Sequence, residues 1–167
     1  MRSPMLAKLM LAAACFAPAF SFAEPTIVFV TRHAEKSTEG KDPDLSPQGQ
    51  ARARMLASLL HKAGIRHIFS TKTARTQQTA QPLATQTGLE VQLYEPAKHA
   101  GLVDKVKTLA GPTLLVGHSN TVPELVRLLT GKEVPAMPET EYDRLYQVII
   151  EKDGSVTTVL LNSSNGS

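Results

Sequence analysis

Arg32 and His33 stand side by side, Arg75 and His118 follow further along, and each comes after a short apolar run. Two guanidiniums and two imidazoles brought to one point make a receptor for a dianion. A guanidinium presents a planar fork of donors that matches phosphate oxygens and keeps its charge at any physiological pH. Two such forks favour phosphate over a plain carboxylate. An imidazole titrates near neutrality, so it can attack phosphorus as a neutral ring or donate hydrogen bonds as a cation. Glu95 also follows an expected strand. Competing readings exist for each residue: His33 as a solvated loop histidine, His118 as a helix cap, Arg75 as a surface residue at a polar helix start. The two histidines could also ligate a metal, but no third ligand recurs at useful spacing.

The elements that must position these groups can be read in order. Ile27 to Thr31 is a run of β-branched and aromatic residues that predicts a buried strand, with Arg32 and His33 where it leaves the sheet. Lys36 to Leu45 reads as a polar surface loop. Ser46 as N-cap and Pro47 at the first helical position open a helix that Gly64 ends. Ile65 to Ser70 predicts a second strand, followed by Thr71, Arg75 and a helix to about Gln86, with Gly88 as its stop. Leu89 to Leu93 predicts a third strand and Gly101 to Leu109 a short amphipathic helix. Thr113 to Val116 predicts a fourth strand, ending in Gly117-His118-Ser119-Asn120, and a helix from Pro123 to Gly131 follows. Leu145 to Glu151 and Ser155 to Leu161 flank Lys152-Asp153-Gly154, a short hairpin signal.

Strands alternating with helices predict one α/β domain, three layers deep, with a mostly parallel sheet and a C-terminal antiparallel hairpin. In such sheets ligands bind outside the carboxyl ends of the strands. Arg32, His33, Arg75, Glu95 and His118 all fall just beyond expected strand ends, so one edge can collect them.

The 167 residues suit one domain with an ordinary core. Residues 1–23 differ from the rest: Arg2 and Lys8 precede an apolar stretch, and Ser21-Phe22-Ala23 supplies the small residues that a signal peptidase needs. Cleavage after Ala23 is expected, giving a domain over 24–162, a polar tail over 163–167 and a periplasmic or secreted product. The apolar run is short for a spanning helix, so no stable membrane insertion is expected after cleavage. Lipidation of Cys15 is the other alternative, disfavoured by the missing large aliphatic residue three positions before it. Cys15 is the only cysteine, which leaves the mature chain without thiol nucleophiles, thiolate metal sites or disulfides. Of the formal net charge of +3, Arg2 and Lys8 contribute two and no acidic residue precedes Glu24, so the mature chain carries +1. That balance predicts no nucleic-acid partner, and the sequence is silent on oligomeric state.

Thr31 to Lys36, TRHAEK, resembles the signature of the histidine phosphatase superfamily, the fold of the cofactor-dependent phosphoglycerate mutases. Three more segments resemble it in the right order: Leu45-Ser46-Pro47-Gln48-Gly49, Ser70-Thr71 with Arg75-Thr76 and Thr79-Ala80, and Val116-Gly117-His118-Ser119. The resemblance implies a phosphoglycerate mutase-like fold and a metal-independent, cofactor-free phosphatase in which His33 becomes phosphorylated. It implies that Arg32, Arg75 and His118 surround the phosphoryl group. Ser119 and Thr71 are further candidates for the substrate pocket, and Ser119 with Asn120 alternatively holds His118 in place or begins the helix. Glu95 is the expected general acid, with Glu35, Asp104 and Glu124 as rivals, and His99 could line the pocket; His61 and His67 read as structural or exposed. The expected substrate is a phosphorylated small molecule or an envelope glycan phosphate. The alternatives are a mutase, which returns the phosphoryl group to a second oxygen, and a binding module without turnover.

Overall fold

The apolar run after Pro25 forms β1 (Thr26–Arg32) in the computed structural model, which describes residues 24–163. The expected leader, 1–23, and residues 164–167 of the expected tail lie outside the described residues. Val28 and Val30 of β1 enter one hydrophobic cluster and Phe29 the other, so the strand is buried on both faces. This is why it reads as a continuous apolar run rather than an alternating one.

In chain order, β1 is followed by α1 (Pro47–Leu60), β2 (His67–Ser70), α2 (Ala74–Thr87) and β3 (Val91–Leu93). A single 3-10 turn, Pro96–Lys98, leads into α3 (His99–Thr108), then β4 (Thr113–Gly117), α4 (Thr121–Thr130), β5 (Arg144–Ile150) and β6 (Val156–Asn162). The six strands form one sheet in the order β3-β2-β4-β1-β5-β6. The first four are parallel, and β5 and β6 add an antiparallel hairpin at one side.

Helices cover both faces. Leu102, Val103 and Val106 of α3 and Leu125, Val126 and Leu129 of α4 pack against Val28, Val30 and Leu115. Leu56 and Leu60 of α1 and Ala80 and Leu83 of α2 pack against Phe29, Leu114 and Val116 on the other side. Each fully buried leucine or valine here contributes roughly 1.5–3 kcal/mol relative to an exposed one. The mixed three-layer fold therefore matches the sequence expectation.

Beyond shifts of a few residues at element ends, such as β2 starting at His67 and β3 at Val91, these details differ from it. α4 begins at Thr121 rather than Pro123: the His118 N–H donates to Thr121 Oγ1 at 2.8 Å, closing a turn that carries Pro123 into the first helical turn, where its missing N–H costs nothing. α3 begins at His99 because the 3-10 turn feeds directly into it. The segment from Lys36 to Leu45 is not merely surface: Lys36 and Leu45 pair as an antiparallel bridge, and Pro43 and Leu45 are buried. Ser163, assigned to the tail, belongs to the domain, since it is buried, donates to the Asp143 carbonyl and accepts from Arg52.

The segment leaving β1 is fixed by α1. Ser46 caps the helix by accepting from the Gly49 N–H, and the Ser46 N–H donates to the Glu35 carbonyl at 2.9 Å. Gly49 lies so close to that carbonyl that an added Cβ would stand 2.0 Å from its oxygen. Arg52 then grips Glu35 through both carboxylate oxygens. Gly49→Ala is expected to destabilise the protein by about 1–3 kcal/mol through overpacking. Gly101→Ala, in open space on α3, is expected to be neutral or to stabilise by up to about 1 kcal/mol. Thermal unfolding of the two variants measures the contrast.

Candidate active site

Strand register brings the chemistry together. Arg32 at the end of β1 lies opposite Gly117 at the end of β4, and Ser70 at the end of β2 lies opposite Val116. The His33 N–H donates to the Gly117 carbonyl at 2.9 Å, so the ladder continues one residue past the strand. His33 and His118 are therefore neighbours, their ring centroids 5.4 Å apart and their planes at 68°.

The proton on His33 is placed by its surroundings. Its Nδ1 lies 2.8 Å from the Ala34 carbonyl, which can only accept, so Nδ1 carries the hydrogen and Nε2 holds a lone pair. Burial, aided by the charges of Arg32, Arg75 and His118 and opposed by the Ala34 hydrogen bond, lowers its pKa to about 4. His118 is also lowered to about 4, mainly by burial and then by Arg75 and Arg32, against the opposing pull of Asp42 and Glu139. Its Nε2 lies 2.9 Å from Thr71 Oγ1, which is itself 2.9 Å from Thr76 Oγ1. The Thr76 hydroxyl donates to the backbone carbonyls of Thr71 and Thr73. With one proton per hydroxyl, Thr71 donates to Thr76 and accepts from His118 Nε2–H.

Arg32 is almost wholly buried and is held by the loop before β5. Its Nη1 donates to the carbonyls of Pro138, Glu139 and Glu141 at 2.9–3.0 Å, and Nη2 donates to Glu139 Oε2 at 2.7 Å. The guanidinium also lies 4.1 Å from the Tyr142 ring centroid. Arg75, at the start of α2, meets Asp42 at 3.4 Å, and Asp42 accepts from the Ala74 N–H as well. Among the described residues, the Nε atoms of Arg32 and Arg75 are both buried without a hydrogen-bond partner. Arg32, His33, Arg75, His118, Ser119 and Glu139 line a cavity of about 370 Å³. A larger groove between α1 and α2, about 600 Å³, is lined by Gln50, Gln78 and Gln81 among others and, among the described residues, has no histidine, cysteine or serine.

Residues 28–99 match the family model described as "Histidine phosphatase superfamily (branch 1)". That match spans the β1 end and Arg75, and the β4 end supplies His118 beside them. Over those residues the chain resembles the histidine phosphatase superfamily. It is 35% identical over 71 residues to "Probable phosphoglycerate mutase GpmB" of Yersinia enterocolitica, covering 38% of this chain and 33% of that protein. The chain thus spans about a third of the length of the curated relatives it matches. Among solved structures it resembles the protein histidine phosphatase SixA complexed with tungstate, at 18% identity and TM-score 0.65 over 82% of this chain and 97% of that one. It also resembles the mycobacterial glucosyl-3-phosphoglycerate phosphatase Rv2419c, at 15% identity and TM-score 0.68 over 84% and 100%. At these identities the likeness is one of fold.

Within this histidine phosphatase fold the expected site residues separate. Arg32, His33, Arg75, His118 and Ser119 share the cavity. Thr71 is buried behind His118 and holds it. Glu95 is not brought to the cavity: Tyr94 takes the inward position, donating to the Val116 carbonyl, so Glu95 points to solvent and pairs with Lys98 at 2.8 Å. Glu35 is engaged by Arg52, Glu124 pairs with Arg127, and Asp104 is exposed on α3. His99 packs against Tyr94 rather than lining the cavity. Sequence reasoning missed Glu139, Asp42 and Tyr142. The one available signal was the long stretch 131–143 without regular structure, a length at which loops are often functional.

Both imidazoles sit near pKa 4 in the folded protein against an ordinary 6.5. Between those values the unfolded chain binds more protons, so stability falls as pH drops from about 6.5 towards 4 and is unaffected by these groups above that window. Melting temperature measured across this range is expected to decline, and the decline to be shallower in the double variant His33→Gln, His118→Gln.

Proposed function

We propose that this protein hydrolyses phosphate monoesters through a phosphohistidine on His33, without a metal ion. One arrangement carries the reading: a neutral imidazole with its lone pair on Nε2, sharing a cavity with two arginines whose buried Nε–H donors have no partner among the described residues. The arginines hold the dianion, and their charge offsets the negative charge on the phosphoryl oxygens during transfer. His33 Nε2 attacks phosphorus, and the P–O bond to the leaving group breaks. Water then attacks the phosphohistidine, the P–N bond breaks, and its electron pair returns to Nε2. His118, held by Thr71 and neutral in the free pocket, gains a favourable reason to protonate once a dianion is bound beside it.

A mutase differs only in the acceptor, since it returns the phosphoryl group to a second oxygen instead of to water. The name of the Yersinia enterocolitica relative favours that alternative. The names of SixA and of glucosyl-3-phosphoglycerate phosphatase favour hydrolysis. The leader-like residues 1–23 support an exported, periplasmic enzyme. Combined with the sugar-linked phosphoglycerate named for the mycobacterial protein, export supports a phosphorylated small molecule or an envelope glycan phosphate as substrate.

The test is hydrolysis of an aryl phosphate by the mature chain, 24–167, in excess chelator. Native protein is expected to turn over and His33→Ala to lose at least about 1,000-fold in kcat. Turnover that survives the substitution contradicts the nucleophile. Tight phosphate binding with no turnover of any ester contradicts the phosphatase reading in favour of a binding module.

A further inference from the structure

Phosphoryl transfer to His33 leaves a requirement that no residue singled out in the sequence meets. An alkoxide leaving group is a strong base and needs a proton as the P–O bond breaks. Glu95 faces solvent, and among the described residues lining the cavity one carboxylate is present, Glu139. It is carried by the loop whose carbonyls hold Arg32. One carboxylate oxygen accepts from Arg32 Nη2 and the other from Ser119 Oγ.

The cavity has a floor and a mouth. His33 is buried, 3% exposed, whereas the Glu139 side chain is 76% exposed. In an in-line transfer the nucleophile and the leaving oxygen lie on opposite sides of phosphorus. With His33 attacking from the floor, the leaving oxygen faces the mouth, and the ester's organic part extends to solvent. Glu139 stands on that side.

We propose that Glu139 is the general acid that protonates the leaving oxygen, and the base that then activates water. This rests on the phosphohistidine reading above. In the free protein Glu139 is held ionised by Ser119 and Arg32. A bound phosphate dianion competes for Arg32 and places negative charge beside the carboxylate, favouring its protonation from solvent. The positive groups around it are Arg32, Arg75 and Lys36; His33 is neutral, and His118 is neutral in the free pocket. In the first step the His33 Nε2 lone pair forms the N–P bond. The P–O bond breaks, and the leaving oxygen keeps that electron pair and takes the Glu139 proton, giving the alcohol. In the second, Glu139 removes a proton from water as the O–P bond forms and the P–N pair returns to His33, giving phosphate and the protonated carboxyl.

The test compares kcat/KM of native protein and Glu139→Gln on an alkyl phosphate and on 2,4-dinitrophenyl phosphate, whose leaving group needs no proton. Glu139 is exposed, so thermal unfolding should show that the variant is folded. The substitution is expected to lower kcat/KM at least about 100-fold on the alkyl ester and less than about 10-fold on the dinitrophenyl ester. A burst of one dinitrophenolate per enzyme followed by slow turnover is expected if the base role is also lost. Equal losses on both esters would make Glu139 only a positioning residue for Arg32, and no loss on either would remove it from the reaction. Both results overturn the proposal while leaving the His33 nucleophile intact; loss of native turnover with a good leaving group would instead overturn the reading beneath it.

Discussion

The parallel pairing of β1 with β4 in one register, Arg32 opposite Gly117, is the constraint on which the site depends. It ends two adjacent strands at the same level, and each is followed by a histidine. A shift of one residue would turn every side chain of the strand to the opposite face, exchanging the positions of Phe29 and Val30 between two separately packed clusters. Core packing thereby fixes the geometry of the site. The same register explains Gly117: a Cβ there would stand 2.6 Å from Thr121 Oγ1, the group that receives the His118 N–H.

Electrostatics in the cavity follow from burial. A guanidinium as buried as Arg32 is costly unless its donors are satisfied. Three carbonyls, a carboxylate and an aromatic face supply that compensation from residues 138–142. The loop before β5 is therefore held to the site by the charge that the site uses. Burial and the two arginines also keep both imidazoles neutral. For a nucleophile this is the useful state, since only the neutral ring has a lone pair, and the Ala34 carbonyl decides which nitrogen bears it.

Much of this is legible in the sequence because it is local. Buried strands announce themselves as apolar runs, and polar residues directly after them mark the sheet edge, so chain position alone places Arg32, His33 and His118 there. The Leu45-Ser46-Pro47-Gln48-Gly49 segment is legible as a helix start, though not the reason for its glycine, which is contact with the Glu35 carbonyl. Glu95 is misplaced by such reasoning because strand-end side chains alternate, and Tyr94 holds the inward position. Glu139 is invisible for a different reason. It meets Arg32 across 107 positions of chain, from a stretch without periodicity, and nothing local marks an exposed glutamate as part of a site.

The central claim is that His33 Nε2 forms a bond to phosphorus, and trapping that bond tests it most directly. Native protein mixed briefly with a reactive aryl phosphate, quenched in base and digested, should yield one phosphopeptide. Its phosphate should be acid-labile, located on His33, and assigned by phosphorus NMR to the Nε2 isomer, because Nδ1 is engaged with Ala34. Phosphate on another residue, the Nδ1 isomer, or turnover with no phosphopeptide in a rapid quench would contradict the account.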